Sequence, residues 1–257
     1  MRKYPRTPHV RGSRLQPGDE DLEAIPFEKI AGLPLIVEEK IDGANCGISF
    51  GDNDELLLQS RGHYLTGGPR ERQFGLLKRW ASMHARDLRE VLAQRYVLYG
   101  EWMYAKHTVF YDRLPHYFLE FDVLDRERDI FLSTERRRDL LAGLAVESVP
   151  MLAEFPSRGF EPDAWIRPSL FKSERWTEAL DAQIAASGSM RERVLAETDR
   201  SPLAEGLYLK WEEDGQVKGR YKYVRASFLT AILDSGSHWQ DRPILPNLLR
   251  DDVDLFA

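Results

Sequence analysis

Short apolar or alternating runs, each closed off by turn-forming residues, are what most restrict the folds open to this chain. Leu35 to Glu39, Cys46 to Phe50, Leu56 to Ser60, Tyr96 to Trp102, Tyr117 to Leu124, Gly206 to Trp211 and Gln216 to Val224 have the length and composition of strands. Turns such as Gly51-Asp52-Asn53-Asp54 and Glu213-Asp214-Gly215 bound them. Helical spacing appears in Arg70 to Gln94, where Phe74, Leu77, Trp80, Ala81, Leu88, Val91 and Leu92 recur at three and four residues. Thr134 to Leu144 reads as a helix capped by Ser133 or Thr134, and Ser173 to Thr198 as two helices split near Ser187-Gly188-Ser189. The pattern predicts an α+β fold of antiparallel sheets with helices packed on them. Val149 to Pro202 is otherwise the least readable stretch, and nothing in its composition marks a linker.

With 257 residues, the chain can bury one sizeable core. A hydrophobic content of 42% and a charged content of 30% are those of an ordinary globular protein. The one cysteine, Cys46, excludes an intramolecular disulfide and reads as a small core residue on a strand. No window approaches the roughly eighteen apolar residues of a membrane span, so a cytoplasmic protein is expected. The net charge of -6 argues against a nucleic-acid binder, yet its distribution is uneven. Arg2, Lys3, Arg6, Arg11 and Arg14 precede Asp19, Glu20, Asp21 and Glu23, which makes an arm able to track phosphates or a plain solvated tail. The expected organisation is a basic then acidic arm over 1–24, a central domain over 25–235 and a tail over 236–257. A short apolar helix around Leu229, Ile232 and Leu233 leads into that tail.

Glu38-Glu39-Lys40-Ile41-Asp42-Gly43-Ala44-Asn45 places one lysine directly after an apolar strand and before a tight turn, where a nucleophile would sit. A Lys-x-Asp-Gly tetrad alone arises by chance in about one chain in twenty of this length. Its weight comes from four later segments: Ser60-Arg61-Gly62, Tyr99-Gly100-Glu101-Trp102, Phe118 to Val123, and Glu205 to Lys210 followed by Lys218 to Arg225. In this order they resemble the motif ladder of covalent nucleotidyltransferases, above all the ATP-dependent RNA ligases of the bacteriophage T4 RNA ligase 2 type, over about residues 33 to 228.

An amine that attacks an α-phosphate must be deprotonated, aligned with the leaving group and surrounded by cations. The resemblance implies Lys40 as the nucleophile, with Glu205 and Lys222 as further catalytic groups. Nucleotide contacts are implied at Glu39, Asp42, Asn45, Arg61, Glu101, Phe121, Lys210, Arg220 and Lys222. Phe121 would stack on the base, with core packing in its apolar strand as the alternative. Arg220-Tyr221-Lys222 is similar to the family's Lys-x-Lys strand, and alternation should put both cations on one face with Lys218. Glu101 and Glu205 suit Mg²⁺ or Mn²⁺, which favour carboxylates completed by waters and phosphates. Nearby Glu38, Glu39 and Asp42 should raise the Lys40 pKa unless screened. His107 and His116 show no zinc spacing, and Lys106 to Tyr111 reads as a packed loop near the site.

By that resemblance the fold is the adenylation domain of ATP-dependent ligases without a C-terminal oligonucleotide-binding domain, since only 35 residues follow Lys222. The activity implied is an ATP-dependent RNA ligase: formation of lysyl-AMP, transfer of AMP to an RNA 5'-phosphate, and joining to a 3'-hydroxyl. An end-healing kinase/phosphatase or a separate RNA-binding protein would be natural partners. The alternatives are a capping-type guanylyltransferase, a DNA ligase, and a non-catalytic RNA-end binding module. Asn45 favours an RNA ligase over a DNA ligase.

Overall fold

The computed structural model describes residues 1–15, 23–156, 161–228 and 244–256; the helix expected around Leu229 to Leu233 lies outside them, as do Asp19, Glu20 and Asp21. In chain order the elements are β1 (Pro34–Lys40), β2 (Ala44–Phe50), β3 (Leu56–Ser60), α1 (Gly75–Met83), α2 (Ala85–Leu92), β4 (Tyr96–Trp102), β5 (Phe118–Asp125), β6 (Ile130–Phe131), α3 (Thr134–Leu141), β7 (Glu147–Ser148), β8 (Met151–Pro156), α4 (Pro162–Trp165), α5 (Trp176–Ser187), α6 (Arg191–Ala196), β9 (Gly206–Glu213) and β10 (Gln216–Val224). One sheet runs β10-β9-β1-β8 and is antiparallel throughout. The other runs β3-β2-β4-β5-β6, with β7 added parallel to β5.

The first sheet obeys strand alternation. Leu35 and Val37 of β1 bury against Leu207, Leu209, Tyr223, Val10 and Ile30 on its outer face. Ile36, Glu38 and Lys40 therefore face inward toward the second sheet. Behind the second sheet, α1 and α2 close the main core through Leu77, Trp80 and Leu88, which meet Cys46, Ile48, Trp102 and Phe118. The Trp80 and Phe118 rings stack at 5.4 Å, and the Trp102 indole donates to the Gln73 carbonyl at 2.7 Å. Truncating either buried tryptophan to alanine should cost roughly 3–5 kcal/mol.

Three differences from the sequence reading have local causes. The helix expected from Arg70 to Gln94 opens as a 3-10 turn over Pro69–Phe74 and bends at His84 between α1 and α2. Its periodicity survives because His84 N–H still donates to Trp80 and Leu88 N–H to His84. Ser133 caps α3, which ends before Leu144 as the chain turns through Gly143 at φ 86°. β8, in the stretch that gave little signal, completes the first sheet at the edge of β1. The split between α5 and α6 falls as expected, with Gly188 left-handed at φ 67°.

The basic stretch at the start of the chain does not hang free. Val10 N–H donates to Lys222 O and Lys222 N–H to Pro8 O, so residues 8–10 run parallel beside β10. Residues 244–256 also pack inward, where buried Asn247 accepts from Tyr111 N–H and donates to Met103 O. Among the described residues no helix is long and apolar enough to cross a membrane.

Candidate active site

Lys40 ends β1 opposite Gly206 of β9, directly after Glu205. A Cβ at Gly206 would lie 1.9 Å from the Tyr223 carbonyl oxygen, so close strand contact excludes a side chain there. The Lys40 ammonium donates to Glu205 Oε2 at 2.7 Å, with 18% of the lysine side chain and 1% of the glutamate exposed. Burial pushes the Lys40 pKa down, but Glu205, Glu101 and Asp42 outweigh it and the net shift is upward. The expected contributors are thus corrected. Glu38 and Glu39 are engaged elsewhere, and the acids acting on the amine are Glu205, Glu101 and Asp42.

Glu101 comes from the second sheet. Its Oε1 accepts from Gly43 N–H at 3.2 Å, and Asn45 faces it across the β2–β4 ladder. Burial, with Asp42 and Glu205 adding to it and Lys40 opposing, pushes the Glu101 carboxyl up to about 8. Asp42 anchors a loop: its Oδ2 accepts from Thr108 and Val109 N–H at 2.7 and 2.8 Å, and its own N–H donates to the Tyr111 hydroxyl. The segment Lys106 to Tyr111 is accordingly packed beside the site. Alternation turns Glu39 away from Lys40, and its carboxylate accepts from Ser169 Oγ at 2.5 Å and Leu170 N–H at 3.0 Å.

Lys210, Arg220 and Phe121 belong to a second, deeper cluster in which acids and bases alternate. Glu38 of β1 lies 2.9 Å from Lys210 of β9 and accepts from Arg137 of α3 at 2.5 Å. Arg137 also donates to Glu120 of β5 at 2.5 Å. Asp122 of β5 accepts from Arg220 Nε at 2.8 Å and lies 3.5 Å from Lys210. Burial would push the Asp122 carboxyl up, but Arg220 and Lys210 hold it at about 2. Three acids and three bases therefore bridge the two sheets, and Arg137, at 0% exposure, sits between them. The Arg220 guanidinium also lies 3.8 Å over the Phe131 ring. Lys222 is buried two residues further along the same face, opposite Tyr208.

Phe121 is the extra residue of a β-bulge, since Gly100 pairs with Glu120 and Tyr99 with Asp122. Its carbonyl accepts from Lys210, and it is the one residue of β5 that is not fully buried. Lys218 is a second bulge residue, which breaks the expected alternation with Arg220 and Lys222. It is exposed and lies 3.9 Å from Asp214 in the turn. Arg61 stands exposed directly after β3.

The sequence reading missed Arg137, Glu120, Asp122 and Tyr4, and gave Glu38 only a charge effect on Lys40. Acids at alternate positions of an otherwise apolar strand, Glu120 and Asp122, were the available signal, because such groups are buried only when paired. Arg137 is marked only by its helical phase, four residues before buried Leu141.

Among the described residues no three His, Cys, Asp or Glu side chains are arranged to hold a metal ion. Glu101 and Glu205 flanking one amine nevertheless fit Mg²⁺ or Mn²⁺, which commonly takes one or two carboxylates with substrate phosphates. The Glu101 carboxyl is pushed up first by burial and then by Asp42 and Glu205, and a cation there would favour its charged form.

The pair of sheets has counterparts among solved structures. The Naegleria gruberi RNA ligase with PPi superposes with a TM-score of 0.56 at 17% identity, covering 89% of this chain and 62% of that one. A lysine-to-alanine mutant of that ligase with ATP and Mn gives 0.53 at 18%, covering 91% and 62%. An archaeal ATP-dependent RNA ligase gives 0.51 at 18%, covering 88% and 48%. The chain thus shares their fold and spans about three-fifths of the Naegleria ligase and half of the archaeal one. No curated protein matches the sequence. The model of the RNA ligase family matches residues 33–224, and the chain belongs to that family.

Proposed function

We propose that this protein is an ATP-dependent RNA ligase acting through Lys40. The observation that carries the reading is the Lys40 amine held 2.7 Å from Glu205 at the junction of the sheets, with Glu101 contributed from the facing sheet. The neutral amine attacks the α-phosphorus of ATP, forming a P–N bond as pyrophosphate leaves. An RNA 5'-phosphate then takes the AMP from Lys40, and a 3'-hydroxyl attacks that activated end as AMP departs.

The upward-shifted pKa keeps Lys40 protonated at rest, so the amine must lose a proton before it can attack. Glu101 and Glu205 would hold a divalent cation, whose charge would neutralise the phosphates and lessen the acids' hold on that proton. Glu205 aligns the amine, Asn45 and Glu101 face the nucleotide from the second sheet, and Lys222 provides positive charge on the first. Arg220 and Lys210, engaged by Asp122 and Glu38, hold the frame rather than the phosphates. RNA carrying a 5'-phosphate and a 3'-hydroxyl would be the substrate, with an end-healing enzyme or an RNA-binding protein as partners in a reducing cytoplasm. The assembled acids around Lys40 speak against a non-catalytic end-binding module.

The test is incubation with α-labelled nucleotides and Mg²⁺ or Mn²⁺. Acid-labile label from ATP should appear on the wild type and vanish in Lys40→Ala. Lys40→Arg should fail equally, since a guanidinium stays protonated. Label persisting in Lys40→Ala moves the nucleophile elsewhere, and preference for GTP returns the capping-type reading.

A further inference from the structure

The first residues of the chain enter the space between the sheets. Tyr4, Thr7, His9 and Val10 are buried, while Arg2, Lys3, Arg6 and Arg11 are exposed. The Tyr4 ring meets Phe121 edge-on at 5.1 Å and 72°, and lies 5.2 Å from the Tyr99 ring. Its hydroxyl is 2.5 Å from Asp122 Oδ2 and 2.8 Å from the Tyr208 hydroxyl, which is 2.8 Å from Thr7 Oγ1. A phenol has one proton to give, so donation from Tyr4 to Asp122 orders the chain. Tyr208 must donate to Tyr4, and Thr7 to Tyr208. Arg2 O accepts from Gln59 Nε2 and from the Tyr99 hydroxyl, fixing the segment on the second sheet as Pro8 and Val10 fix it on the first.

Phe121 and Tyr208 are rings on facing sheets, both partly exposed within strands that are otherwise mostly buried. Tyr208 stands opposite Glu38, one step along the inner face from the Lys40–Gly206 pair. A flat base whose α-phosphate reaches Lys40 therefore has these two rings within reach, and Tyr4 touches both. We propose that residues 2–9 wall the closed end of the nucleotide slot and that Tyr4 is a positioning residue there, its ring setting Phe121 and its hydroxyl setting Tyr208 and, through Asp122, Arg220. The inference rests on the ATP-dependent reading above. It gives the segment an inward role beyond that of a cationic tail tracking phosphates, which Tyr4 and Thr7 could not serve from their buried positions.

The experiment measures the rate of covalent labelling against ATP concentration in the full chain carrying Tyr4→Ala, Tyr4→Phe or, as an exposed control outside the segment, Lys29→Ala, with thermal midpoints recorded for each. Tyr4→Ala should raise half-saturating ATP by about tenfold or more, the weight of one aromatic contact in base stacking, while the saturating rate falls much less. Tyr4→Phe keeps the ring and loses only the hydroxyl contacts, so its rise should be smaller than that of Tyr4→Ala, and Lys29→Ala should match wild type. Should Tyr4→Ala unfold at the assay temperature, Tyr4→Leu, which retains apolar bulk, is read by the same criterion. Affinity for a 5'-phosphorylated RNA, followed by fluorescence anisotropy, should be unchanged in the Tyr4 variants. Wild-type ATP dependence in the folded Ala or Leu variant overturns the proposal, as does lost RNA affinity with normal ATP dependence. A wild-type chain that labels with no nucleotide instead removes the proposed function itself.

Discussion

Replacing Arg137 with methionine tests what joins the two sheets. The side chain is fully buried between Glu38 and Glu120, 2.5 Å from each, so its loss leaves two acids facing one another with one base fewer. Breaking a buried ion pair by removing one partner costs about 3–5 kcal/mol, because the remaining charge stays desolvated. For a domain of this size each kcal/mol lowers the thermal midpoint by about 2–4 °C, which gives a drop of roughly 6–20 °C. The companion variant Arg137→Met/Glu120→Gln restores the balance, leaving Glu38 and Asp122 with Lys210 and Arg220. It should therefore be less destabilised than the sum of the single changes by about 2 kcal/mol, measured by urea unfolding at pH 7. A single variant within about 1 kcal/mol of wild type, or strict additivity in the cycle, refutes the reasoning.

Other expectations concern the site. The Glu101 carboxyl, shifted from 4.5 to about 8, binds its proton more tightly in the folded state, so its contribution is fully present below pH 4.5 and lost as pH rises through about 8. The metal-free protein should lose stability across that window, Glu101→Gln should flatten the loss, and an unchanged profile in the variant removes Glu101 as its source. Glu205→Gln should slow labelling by at least about a hundredfold while exposed Glu135→Gln does not, and equal rates would dismiss the role given to Glu205. Glu212→Gln should label normally yet lose about 1 kcal/mol, because that carboxylate accepts from both Thr134 N–H and Thr134 Oγ1 at the start of α3. A wild-type unfolding midpoint in Glu212→Gln would contradict that capping role.

Much of the frame was legible because alternation and turn chemistry act locally. The strands expected around Lys40, Glu101, Phe121 and Lys222 all form, and their pairing brings Lys40 to Glu205 across 165 residues of sequence. What was hidden depended on non-local partners. Three consecutive arginines, 136 to 138, give no composition signal for the one that is buried. Tyr4 lies in a short segment interrupted by Pro5 and Pro8, where no periodicity could reveal an inward face. Lys218 was misplaced because a bulge shifts the alternation by one residue, a change that leaves no mark in the strand's composition. Glu39 was read as a nucleotide contact although the same alternation that aims Lys40 inward turns its neighbour outward.

The burial pattern explains why so many charges lie beneath one lysine. The larger apolar clusters sit mostly behind the sheets, against α1 and α2 on one side and against Val10, Ile30 and Trp165 on the other. Val224 of β10 joins the first of these clusters, but charged groups link β9 directly to β5. The site is divided across the two sheets: Lys40, Glu205 and Lys222 ride on the first sheet, Glu101, Asn45 and Phe121 on the second. Apolar contact is non-directional and tolerates sliding, whereas a hydrogen-bonded ion pair specifies distance and angle together. Glu38 occupies the same inner face as Lys40 two residues earlier, so the pairing of Glu38 with Arg137, and of Asp122 with Arg220, sets the sheet spacing close to the amine. A shift of one ångström there would alter the line of attack on a phosphate far more than it would alter the stability of either core.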